Sequence, residues 1–255
     1  MRKPVHVLLV VLSTVALASV AHAQDTPKKN YEFVSDFSLA ASQGNQEVTT
    51  LALGERYSYK FPIWKLSQTA SVLRGTANGV KNAELYQGGL RGDYSLTKRL
   101  TAYVNTSGLR NTPAGLSSQT QQGAGFAYQV LDRETDKLQL SAGMGALQRS
   151  FIGISDREND LVGSVDGLFR HAFTKVAFFE QAATWTPNFT TSSAWLFTSK
   201  SALVAPLSSK IGMKVGYLIN FNNAPPLLPK VGTTPQTVRF KKFDGLLTTG
   251  LQFTY

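Results

Sequence analysis

The final stretch of the chain, Phe243 to Tyr255, alternates between two kinds of residue. Phe243, Gly245, Leu247, Thr249, Leu251, Phe253 and Tyr255 fall on one parity; Asp244, Leu246, Thr248, Gly250, Gln252 and Thr254 fall on the other. One face is mostly apolar and finishes on two aromatics, while the other is mostly polar. Period-2 alternation is the mark of a strand whose two sides meet different environments. An apolar outer face over a polar inner face suits a membrane barrel with a hydrated interior.

The same pattern recurs along the chain and predicts twelve strands, at 31–43, 47–61, 63–75, 82–96, 98–109, 118–130, 136–149, 158–173, 176–187, 192–206, 208–221 and 239–255. In 208–221, Ile211, Met213, Val215, Tyr217, Ile219 and Phe221 oppose Gly212, Lys214, Gly216 and Asn220. In 136–149, Leu138, Leu140, Ala142 and Met144 oppose Gln139, Ser141, Gly143 and Gly145. Each strand is longer than the ~9–11 residues a tilted strand needs to cross a bilayer. The connections alternate in length. Phe61–Ile63, Leu96–Lys98, Leu131–Thr135, Phe173–Lys175 and Pro206–Ser208 are short, whereas Gly75–Lys81, Arg110–Ser117, Ser150–Arg157, Asn188–Thr191 and Asn222–Val238 are longer and polar. Short periplasmic turns and longer external loops are the expected asymmetry, and an even strand number puts both termini in the periplasm. The tight turn at Gly44–Gln46 breaks this alternation.

Aromatics collect near the short turns (Tyr59, Phe61, Trp64, Tyr94, Tyr128, Phe173, Tyr255) and near the long loops (Trp185, Trp195, Phe197, Phe221). Two such belts match the two interfaces of a bilayer. The fold class is therefore all-β, a transmembrane antiparallel up-and-down barrel of about twelve strands. One residue fits badly: Glu55 takes the lipid-facing parity between Leu53 and Tyr57. A bulge at Gly54 is the expected device for turning it inward.

Composition changes this picture little. Charged residues make up 16% of the chain, low for a soluble domain of this size, yet mean hydropathy is slightly negative at −0.11. Strands half in lipid and half facing water have that combination. Net charge is +10, falling to +8 without Arg2 and Lys3, but the basic residues are scattered and form no nucleic-acid-binding run. Cysteine is absent, which removes disulfides and thiolate metal sites. Residues 1–23 read as a cleaved signal peptide: a charged head, an apolar Val5–Val20 and the small-x-small site Ala21-His22-Ala23. A short periplasmic segment, 24–30, then leads into the barrel, 31–255. Export and strand pattern together place the chain in the outer membrane of a Gram-negative-type envelope.

The chain resembles the YdiY-like family of salt-induced outer membrane proteins, whose function is unknown. The matching stretches are Phe37 to Asn45, Tyr94 to Leu100, Gly123 to Tyr128 and Lys137 to Gly145, and the resemblance extends over nearly all of Phe37 to Tyr255. The family usually follows the first-turn Gly-Asn with Ser or Thr, where this chain has Gln46. The resemblance implies a twelve-stranded outer-membrane barrel. It implies no substrate and no catalytic residue.

Candidate chemistry is sparse. Beyond residue 23 there is one histidine, His171, on the outward parity near a short turn; it argues against a Ser-His hydrolase and against a nitrogen/sulfur metal shell. Asp156, Glu158 and Asp160 stand at loop spacing but lack the glycine and ligand count of a calcium loop. Gly123-Ala-Gly125 lacks the third glycine and the helix of a dinucleotide fingerprint. No enzyme activity and no cofactor are expected.

The charges on the inward parity are the candidate functional residues: Arg56, Lys65, Arg91, Asp93, Arg149, Asp166, Arg170, Glu180, Lys200 and Lys214, with Asp36 beside them. Such charges either line a water-filled path and select ions, or pair across a closed lumen and hold it rigid. Twelve strands lie between the ~8-strand filled barrels and the ~16-strand open porins, so size leaves both readings open. A modest basic excess makes any path weakly anion-favouring. The loop Asn222–Val238, with Pro225, Pro226, Pro229 and Pro235, is the candidate plug, the alternative being a rigid external loop with no gating role. The expected function is a narrow channel for small solutes or ions with a link to envelope or osmotic stress, and the alternative is a sealed structural barrel. The expected partners are outer-membrane lipid, lipopolysaccharide and the barrel-assembly machinery, which would read the terminal Leu251, Phe253 and Tyr255. The barrel is expected to be monomeric.

Overall fold

The structure is a computed structural model and describes residues 30–42, 48–77, 80–112, 115–174, 177–225, 227–229, 237–239 and 242–255. The signal segment 1–23, most of 24–30 and the Gly44–Gln46 turn lie outside these residues. The chain forms β1 (Tyr31–Ser42), β2 (Val48–Lys60), β3 (Trp64–Ala77), β4 (Val80–Ser95), β5 (Leu100–Asn111), β6 (Leu116–Asp132) and β7 (Asp136–Phe151). It continues through β8 (Arg157–Ala172), β9 (Phe178–Thr186), β10 (Leu196–Pro206), β11 (Ile211–Asn222), β12 (Leu227–Pro229), β13 (Thr237–Arg239) and β14 (Phe243–Thr254). Strands β1 to β11 and β14 close into a single barrel in the order β1-β14-β11-β10-β9-β8-β7-β6-β5-β4-β3-β2. Every pairing is antiparallel and joins sequence neighbours, apart from the closing seam of β1 on β14 and the β11–β14 step across the small β12–β13 hairpin. Closure leaves no open sheet edge, the condition for crossing a bilayer with strands.

The short turns repeat one piece of chemistry. In Leu96-Thr97-Lys98-Arg99-Leu100 the Thr97 hydroxyl accepts from the Leu100 N–H at 2.9 Å. Thr174 accepts from Ala177 at 2.9 Å and Ser208 from Ile211 at 3.1 Å in the same way. A hydroxyl that bonds the backbone three residues on stabilises a reversal that has too few residues for a ladder of its own. These turns share a rim with both described chain ends, because Tyr31 pairs with Tyr59 and Tyr255 exchanges backbone bonds with Phe33.

Alternation sorts the side chains. Leu66, Leu90, Val104, Phe126, Leu140, Met144, Leu161, Leu203 and Leu247 all stand exposed on the outer face. In water this would be an aggregating surface; around a closed barrel it is the surface lipid wants. Aromatic pairs border it. Tyr59–Phe61 and Trp64–Tyr94, with centroids 4.6 and 4.8 Å apart, lie at the short-turn rim, and Trp195 stacks on Phe221 at 5.0 Å toward the other rim. Among the described residues no helix is long and apolar enough to cross a membrane.

Several boundaries differ from the sequence reading. The expected loop Asn222–Val238 carries the β12–β13 hairpin, and the last barrel strand begins at Phe243 instead of 239. Strand β9 stops at Thr186 because Pro187 has no N–H for the ladder; the residues that follow keep the same register on β8, with Asn188 still opposite Val162. The Gly163 N–H donates to the Pro187 carbonyl at 2.9 Å and the Phe189 N–H to the Leu161 carbonyl at 2.8 Å. The Asn188 side-chain oxygen accepts from the N–H groups of Thr190 and Thr191 at 2.9 and 2.8 Å, which fixes the turn that follows. The bulge expected at Gly54 is absent. β2 pairs in unbroken register with β1 and with β3 through Gly54 and Glu55, so Glu55 stays on the outer face. Bulges occur instead between Gly75 and Thr76, Leu109 and Asn111, Leu116 and Ser118, and Gln129 and Leu131.

Candidate functional site

Arg56 on β2 alternates inward between Glu55 and Tyr57. Its Nη2 comes within 3.5 Å of Glu180 Oε1 on β9. Going round the wall, β1, β14, β11 and β10 separate these two strands, so the pair bridges almost opposite sides of the lumen. The Arg56 side chain remains 55% exposed, which leaves room for water beside the contact.

Lys214 stands on the wall between them and reaches Asp36 with Nζ–Oδ2 at 2.8 Å; Gln252 donates to the other Asp36 oxygen at 3.0 Å. The local sequence explains the reach. The inward neighbours of Lys214 along β11 are Gly212 and Gly216, and its partner on β14 is Gly250, so the β14 side of its stem is open and only Val204 on β10 flanks it. Asp36 likewise faces Gly54 across the β1–β2 ladder. Lys200 on β10 shares this side and feels the positive charges of Arg56 and Lys214. Among the described residues it has no carboxylate at ion-pair distance.

The far wall is built differently. Arg91 binds Asp93, Nε–Oδ1 2.9 Å, and its guanidinium lies 3.8 Å above the Tyr103 ring. Tyr103 is buried flat against β6 and β7, where a Cβ on Gly125 or Gly143 would stand 2.8 or 2.6 Å from its hydroxyl. The glycines thus form a shallow bed for the ring, and the ring carries the arginine. Asp166 on β8 accepts from Ser164 at 2.6 Å, Thr184 at 2.8 Å and Ser141 at 3.2 Å. Between these groups lies a cavity of about 160 Å³, lined by Arg91, Tyr103, Asn105, Gln121, Ser164 and Asp166 among others.

Arg170 also stacks on a ring, 3.8 Å above Phe178. Lys65 pairs in register with Asp93 near the short turns. Arg149 is different: it is 5% exposed and lies at the loop end, where Nη2 meets both Asp160 at 2.9 Å and Glu158 at 3.0 Å. Two of the three carboxylates considered as a cation cluster are therefore held by an arginine, on β8 and not in a loop. Leu147 and Val162, with the Leu116–Phe151 pair, pack beside this lock. Replacing Arg149 by leucine leaves Asp160 buried without its counter-charge. The expected loss is ~3–5 kcal/mol of unfolding free energy, read from urea unfolding of the refolded barrel in lipid. His171 bonds Asp136, Nδ1–Oδ1 2.7 Å, beside Phe173; its partner is a carboxylate and not a serine.

Tyr103 and the three hydroxyls around Asp166 were not singled out from the sequence. The available signal was parity: Tyr103 is a large ring on the inward face of β5, opposite glycine-rich strands.

Residues 35–254 match the family model described as "Protein of unknown function, DUF481". The chain is a member of the DUF481 family. Among curated proteins none matches its sequence. Solved structures similar to this DUF481 barrel include the NanC porin, at 11% identity and a TM-score of 0.49, with 87% of this chain and 98% of that one covered. The translocator domain of autotransporter NalP from Neisseria meningitidis is 12% identical at a TM-score of 0.46, covering 91% and 90%. An anion-selective porin from Comamonas acidovorans is 9% identical at 0.43, covering 88% and 98%. At these identities the likeness is one of barrel architecture.

Proposed function

We propose that this DUF481 barrel is a narrow outer-membrane channel that passes small solutes or ions with a weak preference for anions. The observation that carries the proposal is the Arg56–Glu180 contact across the lumen, with Lys200 beside it and without a carboxylate of its own. Together they make a constriction whose charges are ordered but still wet. An ion passing there meets the ammonium of Lys200 beside a neutralised pair, which favours anions modestly. The outer location is supported by the closed barrel and its apolar, aromatic-bordered exterior. A role under envelope or osmotic stress enters the proposal on the resemblance to salt-induced outer membrane proteins alone. The proposal includes assembly through the terminal strand, whose Leu251, Phe253 and Tyr255 share the outward parity, and it includes no catalytic step.

The same contact favours a second reading, a barrel sealed by ion pairs, because Arg56 and Glu180 meet from nearly opposite walls. Single-channel recording of residues 24–255 in a planar bilayer, under a salt gradient, separates the two. Stable open levels with an anion-favouring reversal potential support the channel. A silent bilayer that holds demonstrably inserted barrel supports the sealed form.

A further inference from the structure

Glu55 is the residue that the strand pattern could not place, and the structure leaves it on the outer face. It is half-buried there and accepts a hydrogen bond from Gln68 Nε2 at 3.3 Å. Neither residue lies at a rim. On β2 and β3 they stand between the Tyr59–Phe61 and Trp64–Tyr94 rings at one end and the Arg74–Tyr86 hydrogen bond at the other. A carboxylate and a primary amide at that depth are poorly matched to hydrocarbon.

Their surroundings are also unlike a lipid-facing wall. One row of the outer face runs in register from Glu55 to Ala70, Gly88 and Gly108. The adjacent row runs from Gln68 through Leu90 to Thr106 and Gln122. The first row runs from the carboxylate over three small residues, the second is hydrogen-bonding at every position but Leu90, and the exposed Leu66 and Val104 border them. The opposite side of the barrel presents exposed Leu203, Met213, Val215 and Leu247 instead. A surface with a bare floor, satisfiable polar groups and an apolar border has the make-up of a protein contact within a membrane.

We propose that this face, β2 to β5, packs against the same face of a second copy of the chain. What selects a second copy is self-complementarity. Two barrels inserted in the same direction present equivalent residues at equal height, so the contact must be self-complementary. This patch qualifies: the acceptor Glu55 and the donor Gln68 stand side by side on β2 and β3, so each carboxylate can meet a partner's amide while Ala70, Gly88 and Gly108 allow close approach. Lipid chains offer nothing to bond. The barrel is then an oligomer and not the monomer expected from its sequence.

The chain has no cysteine, which makes the test clean. Ala70→Cys introduces a thiol in the floor of the patch, and Val215→Cys introduces one on the opposite outer wall. Each refolded variant is diluted into lipid vesicles and oxidised, and the disulfide dimer is measured on a non-reducing gel. Ala70→Cys is expected to give dimer well above the collisional level shown by Val215→Cys. Adding Glu55→Leu or Gln68→Leu to Ala70→Cys is expected to lower the yield about tenfold. Both leucines suit lipid, so each double variant should still show the heat-modifiable gel shift of a folded barrel. Dimer no more abundant than for Val215→Cys, or dimer indifferent to both leucine changes, overturns the proposal.

Discussion

Valine in place of Gly250 is expected to prevent the barrel from closing. A Cβ at this position runs into the carbonyl oxygen of Phe37 and stands 2.8 Å from the Ser38 Cα. The obstacle is backbone and not the mobile end of a side chain, so one strand must move. Overpacking in an ordinary site costs ~1–3 kcal/mol. Here it strikes the seam, where the register of β1 on β14 runs only from Val34–Thr254 to Phe37–Leu251, whereas β11 pairs with β14 along its whole length. The seam has little to spare. Refolded Gly250→Val should lose the heat-modifiable gel shift of a closed barrel. Gly92→Ala is the control, since a Cβ there meets nothing nearer than Val104 Cγ2 at 3.7 Å, and it should fold as the parent does.

Glu180→Lys should produce the largest change in conduction. It removes the carboxylate that faces Arg56 and adds a cation beside Lys200, so the constriction becomes uniformly positive. A charge reversal a few ångströms from a passing ion amounts to several kcal/mol at an effective dielectric near 20, and much less in water. In a wet constriction the expected outcome is an increase of about tenfold in the anion-to-cation permeability ratio at low salt, shrinking as the Debye length falls below ~10 Å above 0.1 M. The reversal potential across a salt gradient measures it. If the parent barrel is silent and Glu180→Lys conducts, Arg56–Glu180 is a seal. If the parent conducts and the ratio does not move, the pair lies off the path.

Strands and their facing were legible in the sequence because a one-residue slip exchanges every side chain between lipid and lumen. That constraint is written into β11 and β14 almost residue by residue. The limits were legible only roughly where tertiary contacts decide them. β9 ends just before the expected limit of 187 because Pro187 has no N–H for the ladder, although Asn188 still meets Val162 in the same register. Strands β12 and β13 are too short for a period to show, and they sit in a proline-containing segment. The candidate site was half legible. Parity marks Arg56 and Glu180 as inward, but which strands oppose each other across the lumen depends on closure, a property of the ring and not of any window. Glu55 is the opposite case. A bulge at Gly54 was the local remedy for a misplaced carboxylate, and the unbroken β1–β2–β3 register shows that the fold did not use it.

The short ladder at the seam also bears on mechanics. Both described chain ends leave from the same rim, on either side of the β1–β14 pairing, with Phe33 and Tyr255 exchanging the last backbone bonds. Force applied between the ends, by an optical trap or by a fused domain pulled through the envelope, therefore loads the briefest ladder in the ring before it reaches any other. The barrel should rupture there first and then unravel hairpin by hairpin from the seam, in a fixed order, with β6 to β8 as the last segment to yield.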